Sequence, residues 1–354
     1  MPITLPVTAN GSCGSMSDAA RFLIPVAALL HALFGTLAAL AGFVPGYLYV
    51  SDTSPAACFD GGPPDQIWEV NPETGESRLF ATRPPGFCGS FQGLAFTPDG
   101  QRLRVGSFLD SQILEIDGDG NFSVALGPED GLNPPSGFNN LAYDADGNFF
   151  VGTVLPDRVL KFPADGSPRT VFANRQDGIT GSTSLAFGPT GELYVTVFSG
   201  PTYRFQPDGE GELLTSLAAV SVVVDANKNA YLWNPHGLYR LPADDPDAPE
   251  LVVAWPPDID GFPGSLALSL DQQSLLLTAS NLVRRIDLVT AEITTLPDIP
   301  GYGAGHGSAL YVPEPNSALT STIFAIMLIR VRRVAVRQWS SLGGKECTCT
   351  SNPP

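Results

Sequence analysis

The sequence predicts an all-β protein, a six-bladed β-propeller with four antiparallel strands per blade, and three observations carry that prediction. First, a short phrase recurs. It reads Leu94-Ala95-Phe96-Thr97-Pro98-Asp99-Gly100, then Leu141-Ala142-Tyr143-Asp144-Ala145-Asp146-Gly147, then Leu185-Ala186-Phe187-Gly188-Pro189-Thr190-Gly191. Weaker copies begin at Val222 and Leu266, and a last one at Ala309. The starts lie 47, 44, 37, 44 and 43 residues apart, a period that belongs to repeat architectures. Second, each unit has room and pattern for four short strands, as a propeller blade requires. Third, there are six copies of the phrase and six third strands, offset by one, so the two ends of the chain are complementary halves of one blade.

Within a unit the phrase is the first strand. A tight turn follows, Asp-Gly or Asn-Lys, where Gly or Asn accepts positive φ. The second strands are Leu103-Arg104-Val105, Phe149-Phe150-Val151, Leu193-Tyr194-Val195, Ala230-Tyr231-Leu232 and Leu275-Leu276-Leu277. The third strands begin at Ile67, Ile113, Val159, Thr202, Leu238 and Val283, and their third places all carry charge: Glu69, Glu115, Lys161, Arg204, Arg240 and Arg285. Fourth strands follow, as at Ser77–Phe80 and Arg169–Phe172. Ile67 has no phrase before it, and Ala309–Val312 has no third strand after it. The C-terminal strand therefore pairs into the first blade and closes the ring, which removes free sheet edges.

Composition agrees. Hydrophobic residues make up 43%, charged residues 16%, and Gly (37) and Pro (33) are abundant. That mix describes many short strands and turns and is too apolar for disorder. The chain carries a net charge of −17, and residues 42–313 hold 13 Lys and Arg against 33 Asp and Glu. So acidic a body repels phosphate backbones, which excludes nucleic acid as a partner and suits an exported, soluble domain.

Both ends read as addresses. Arg21, the apolar run from Phe22 to Leu40 and the small-x-small site Ala39-Leu40-Ala41 form a secretory signal peptide over 1–41. Of five cysteines, only Cys58 and Cys88 fall in the body, each in a Gly/Pro-rich loop. They are either two buried thiols or, in the oxidising compartment that the leader implies, a disulfide closing a loop of about 30 residues, worth roughly 3–4 kcal/mol.

At the other end, Pro313-Glu314-Pro315 precedes an apolar stretch from Asn316 to Ile329, then Arg330, Arg332, Arg333 and Arg337. This closely resembles the PEP-CTERM sorting signal of exported bacterial proteins: a Pro-Glu-Pro motif, one membrane-spanning helix and a basic cluster that stays cytoplasmic. The stretch reaches the roughly 20 residues of a span only by including Val331 and Val334 and letting arginines snorkel. The resemblance implies recognition by an exosortase-type membrane protease. It also implies transient residence in the inner membrane, then delivery to the cell surface or matrix. Residues 338–354 form a tail unlike anything upstream.

The body, 42–312, resembles the NHL and gluconolactonase-like group of six-bladed propellers. In the latter, carboxylate and Asn side chains hold a metal at the channel mouth, with a ligand two residues before the first-strand apolar residue. The equivalent places here are Gln92, Asn139, Thr183, Val220, Gly264 and Gly307. Only Asn139 is of a ligand type, and a carboxylate enters only if Asp52 is recruited from the end of the opening strand. Calcium wants several oxygen ligands with carboxylates among them. The expectation is therefore a non-enzymatic propeller, without cofactor, that binds a protein or glycan at its face. The alternative is a metal-dependent hydrolase or lactonase using Ca2+ or another divalent cation.

Two segments, Asp117–Asn121 and Asp144–Asn148, resemble the start of an EF-hand loop. Their sixth positions are Phe122 and Phe149 and their twelfth Pro128 and Leu155, so they read as hairpin turns. Of the histidines, His31 lies in the leader, His236 in a turn, and His306 just before the closing strand. None accompanies a nucleophile motif.

Overall fold

The computed structural model describes residues 42–53, 64–84, 89–132, 137–198, 200–256, 263–279, 282–301 and 305–312. The leader, Cys58, Cys88, Pro313-Glu314-Pro315, the C-terminal hydrophobic helix and Arg330, Arg332, Arg333 and Arg337 lie outside these residues, as do the side chains of Asn139 and His306.

Six four-stranded antiparallel sheets form the blades. Blade 1 joins β24 (Gly305–Leu310) to β1 (Leu48–Asp52), β2 (Gln66–Val70) and β3 (Ser77–Thr82). Blade 2 holds β4 (Phe91–Phe96), β5 (Arg102–Ser107), β6 (Gln112–Asp117) and β7 (Phe122–Leu126). Blade 3 holds β8 (Phe138–Tyr143), β9 (Phe149–Thr153), β10 (Arg158–Phe162) and β11 (Thr170–Asn174). Blade 4 holds β12 (Ser182–Phe187), β13 (Leu193–Val197), β14 (Thr202–Phe205) and β15 (Gly211–Thr215). Blade 5 holds β16 (Ser221–Val224), β17 (Ala230–Asn234), β18 (Gly237–Leu241) and β19 (Glu250–Ala254). Blade 6 holds β20 (Pro263–Leu268), β21 (Ser274–Ala279), β22 (Leu282–Asp287) and β23 (Ile293–Thr295). The ring closes as the offset repeat predicts: Leu48 pairs with Leu310, Tyr49 with Ala309 and Val50 with Ser308.

The phrase forms the inner strands, and the turn after it is the same device five times. The fourth residue donates its N–H to the first residue's carbonyl: Gly100 to Thr97, Gly147 to Asp144, Gly191 to Gly188, Lys228 to Asp225 and Gln272 to Ser269. That fourth residue must be left-handed. In blade 5 it is Lys228 (φ +65°), not Asn227 as the sequence suggested, and in blade 6 it is Gln272 (φ +56°). The first side chain enforces the turn. Asp225 Oδ1 accepts the amides of Asn227 and Asn229, and Asp144 Oδ1 those of Asp146 and Asn148. Asp117 accepts the amides of Asp119 and Asn121 in the same way, so both EF-hand-like stretches are hairpin turns.

The charged third place of each third strand has a structural reason. Glu69 pairs with Arg78 across the sheet, Arg204 with Glu212, and Arg240 with Glu250. Glu115 takes Arg104 from the second strand, Lys161 lies over the Phe150 ring, and Arg285 reaches Glu73 of blade 1. The more exposed of these pairs contribute little to stability, but opposite charges facing each other favour one register.

The core lies between blades. Most second strands are buried on both faces, so their central residues, Arg104 of β5 apart, are apolar or aromatic instead of alternating with polar ones. Leu48 and Val50 pack with Leu276 and Val283 of blade 6, while Tyr49 packs with Phe91 and Leu103 of blade 2. Each of the six blade-to-blade seams is filled this way.

Where blades 2 to 6 have their first hairpin turn, blade 1 has the points at which the chain enters and leaves the ring. Gly46 N–H donates to the Tyr311 carbonyl (2.9 Å) and Tyr311 N–H to the Tyr47 carbonyl (3.0 Å). Phe43, two residues after the predicted cleavage site, sits among Phe96 (4.8 Å between ring centroids), Phe80 (5.3 Å), Tyr49 (5.4 Å) and Tyr311 (5.7 Å). Val44 N–H donates to the Tyr49 hydroxyl (2.9 Å), which donates in turn to Glu69. Burial, then the bond to Glu69, holds the Tyr49 phenol far above the usual tyrosine range. Phe43 is half-buried, so Phe43→Ala is expected to lower stability by about 2 kcal/mol, below the cost of emptying a fully enclosed site. A denaturant titration of the chain beginning at residue 42 measures it.

Candidate functional site: the channel and its polar mouth

The inner strands surround a channel. One residue before each phrase, the strands present Gly93, Asn140, Ser184, Ser221, Ser265 and Ser308. The space they enclose is about 90 Å³, enough for about three waters and too small for an organic substrate.

These hydroxyls work between blades. Ser184 Oγ accepts the Val222 amide of the next blade (3.2 Å), and Ser221 Oγ accepts the Leu266 amide of the one after (3.1 Å). Ser265 bonds Ser308 of blade 1, while within blade 1 Ser51 Oγ on β1 accepts the Gly307 amide (2.9 Å). Around half the ring, serine stitches neighbouring inner strands together. Small polar residues were therefore selected here by the need for close approach with a hydrogen bond. Gly307 marks the tightest place, since a Cβ there would stand 2.0 Å from the Gln92 carbonyl oxygen.

The end of the ring opposite the two termini is the polar end. It carries the last residues of four second strands, Asp52, Ser107, Thr153 and Asn234, and Thr278 next to the end of a fifth, all buried. Asp52 lies opposite Gln66 on β2 and Gly305 on β24, at the channel mouth. Of the six places where the resemblance puts a metal ligand, most are otherwise engaged. Gln92 donates to Ser90 Oγ (3.0 Å), Thr183 bonds Thr196 (2.9 Å), and the Val220 amide donates to the Trp233 carbonyl (2.9 Å). Gly264 is buried within β20. Asn139 lies in β8. Among the described residues no three His, Cys, Asp or Glu side chains converge as a metal site requires. His236 sits in the β17–β18 turn with its amide on Asn234 Oδ1 (2.8 Å), and the neighbouring Trp255 indole N–H donates to the Asn234 carbonyl (2.7 Å).

A buried ion pair at this end was not visible in the sequence. Arg83 Nη1 lies 3.2 Å from Asp65 Oδ2 and donates to the Gly89 carbonyl (2.6 Å), with both side chains almost wholly enclosed. The Arg83 amide also donates to the Asp65 carbonyl (2.9 Å). The pair stands at the open end of the β2–β3 hairpin, beside the departures of the loops that hold Cys58 and Cys88. Only the hairpin register brings positions 65 and 83 together.

No protein-family profile and no curated protein matches the chain. Solved structures do. A chain of the Nidogen/Laminin complex superposes with a TM-score of 0.60 at 16% identity, over 76% of this chain and 99% of that one. Streptogramin B lyase gives 0.52 at 15% identity, over 75% and 87%. A gluconolactonase from Xanthomonas campestris gives 0.50 at 19% identity, over 60% and 75%. These likenesses define the class: the chain is a six-bladed β-propeller with the NHL, gluconolactonase and virginiamycin B lyase type of fold. At such identities they speak for the fold alone.

Proposed function

We propose that the protein is an exported, non-enzymatic binding propeller, sorted by an exosortase-type protease to the cell surface or extracellular matrix, where it holds a protein or glycan partner. The observation that carries this reading is the meeting of the chain ends. Gly46 and Tyr47 are hydrogen-bonded to Tyr311, so a leader before residue 42 and a sorting signal after residue 312 depart from one corner. The channel supports a binding role too, because its hydroxyls are spent on joining blades. The Nidogen/Laminin chain, a propeller from a protein–protein complex, is compatible with such a role.

The test is replacement of Pro313-Glu314-Pro315 by alanines in the native host. Loss of surface delivery and of C-terminal processing is expected, and unchanged delivery would sink the sorting claim. One observation favours the metal-dependent hydrolase as a second reading: Asp52 is buried at the channel mouth. On that reading Asp52 and Asn139 would contribute oxygen ligands to Ca2+ or another divalent cation. Calcium would then raise the melting temperature, the rise growing with the logarithm of its concentration above Kd, and the Asp52→Asn variant would lose that rise.

A further inference from the structure

The repeat supplies its own control at the middle of each second strand, the position that faces the next blade. Blade 1 has Tyr49 there, blade 3 Phe150, blade 4 Tyr194, blade 5 Tyr231 and blade 6 Leu276, all buried. Blade 2 has Arg104. Departures from a repeat's packing rule are expected where function competes with packing. Here the departure coincides with a groove of about 700 Å³ between blades 2 and 3, well within the range of ligand sites.

The groove is built in two halves. Its aromatic wall is formed by the partly buried Tyr143 and Phe162, with Phe149 buried between them and the ring centroids 4.8 and 6.2 Å apart. The Arg104 guanidinium lies 4.6 Å from the Phe149 centroid and 5.6 Å from that of Tyr143, and its Nε donates to Glu115 (3.2 Å). The rim holds Arg169, whose Nε donates to the Asp130 carbonyl (2.7 Å), with Glu129 and Asp130 beside it. The Tyr143 hydroxyl is buried with no hydrogen-bond partner, a desolvation cost that folding leaves in place.

Each feature narrows the ligand. Two arginines and two carboxylates line the groove, so it carries no net charge, and the acidic body disfavours polyanions. Phe149 and Phe162 stand on β9 and β10, both paired on each side, so the strands that carry these rings offer no edge to an extended peptide. A flat aliphatic ring bearing hydroxyls suits an aromatic wall with planar donors and acceptors on its rim. A hydroxyl, both donor and acceptor, also suits the unpaired Tyr143. We propose that the groove between blades 2 and 3 binds a neutral oligosaccharide, with Arg104, Tyr143 and Arg169 as its polar contacts. The proposal deepens the binding reading above by naming the partner's chemistry.

The experiment uses the purified secreted chain, calorimetry and saturation-transfer NMR, and a panel of cello-, manno- and galacto-oligosaccharides. At least one series is expected to bind. Arg104→Leu, which places here the residue that blade 6 uses, should abolish binding and keep the fold. Tyr143→Phe should weaken it about tenfold, the loss of one hydrogen bond. Ser167→Trp, on the exposed rim and outside the core, should block the groove even if the Arg104 variant fails to fold. The proposal is overturned if no series binds at millimolar concentration, if binding ignores all three variants, or if only peptides or acidic polysaccharides bind. Because binding is read on purified protein, its failure beside intact surface delivery removes this proposal and leaves the sorting reading standing.

Discussion

Arg83→Leu is expected to lower the unfolding free energy by about 3–5 kcal/mol, because it breaks a buried ion pair and takes the guanidinium away from an enclosed carboxylate. Asp65 and Arg83 are both nearly inaccessible to solvent, and the guanidinium also serves the Gly89 carbonyl. Two buried groups therefore each lose the contact that Arg83 makes with them. Replacing both members, Asp65→Leu with Arg83→Leu, should recover a large part of the loss, since a matched apolar pair costs less than a broken buried ion pair. Urea midpoints of the two single variants and the double variant close the cycle. A single variant within 1 kcal/mol of the parent would mean that water reaches this end of blade 1 freely.

The second large effect is expected at Gly307. A methyl group on its Cα would lie 2.0 Å from the Gln92 carbonyl oxygen, 2.8 Å from its carbon and 3.2 Å from the Gly93 Cα, all backbone atoms that no rotamer change can move. Gly307→Ala must push β24 away from β4, and β24 is the strand that closes the ring. The cost should be about 3 kcal/mol, at the upper end for an added methyl group in a packed interior. It should also appear locally, as faster amide exchange of Gly307, whose N–H bonds Ser51 Oγ. A melting temperature equal to the parent's would show that β24 and β4 can slide apart without penalty.

Most of the architecture was legible because a propeller is written several times over. The phrase beginning at Leu94 gave the period, and the offset between it and the third strands gave the closure. The paired strands Leu48–Asp52 and Gly305–Leu310 bear that closure out. The charged third place was visible as a pattern before its partners were. The groove was harder to find, because Arg104 takes a place that is apolar or aromatic in the other second strands and its surroundings arise only when blades 2 and 3 pack. The pair Asp65–Arg83 was hidden for the same reason. Two residues 18 positions apart meet through a hairpin whose register side-chain type alone does not announce. At the channel, the repeat located the inner strands but not the work of their small polar residues, which depends on the neighbouring blade. Ser184 and Ser221 form the hydrogen-bonding seams of the ring.

The bond between Gly46 and Tyr311 has one more consequence. The ring has no physical first blade: the chain is simply interrupted where a sixth hairpin turn would stand. Joining residues 46 and 311 with a short Gly/Ser bridge and opening the chain at the exposed turn Pro98-Asp99 should yield a circular permutant with the same six sheets. In such a protein the point of attachment becomes a free choice, and any of five turns could carry the tether. The polar rim would stay in place while the molecule is rolled around its own axis, one sixth of a turn at a time.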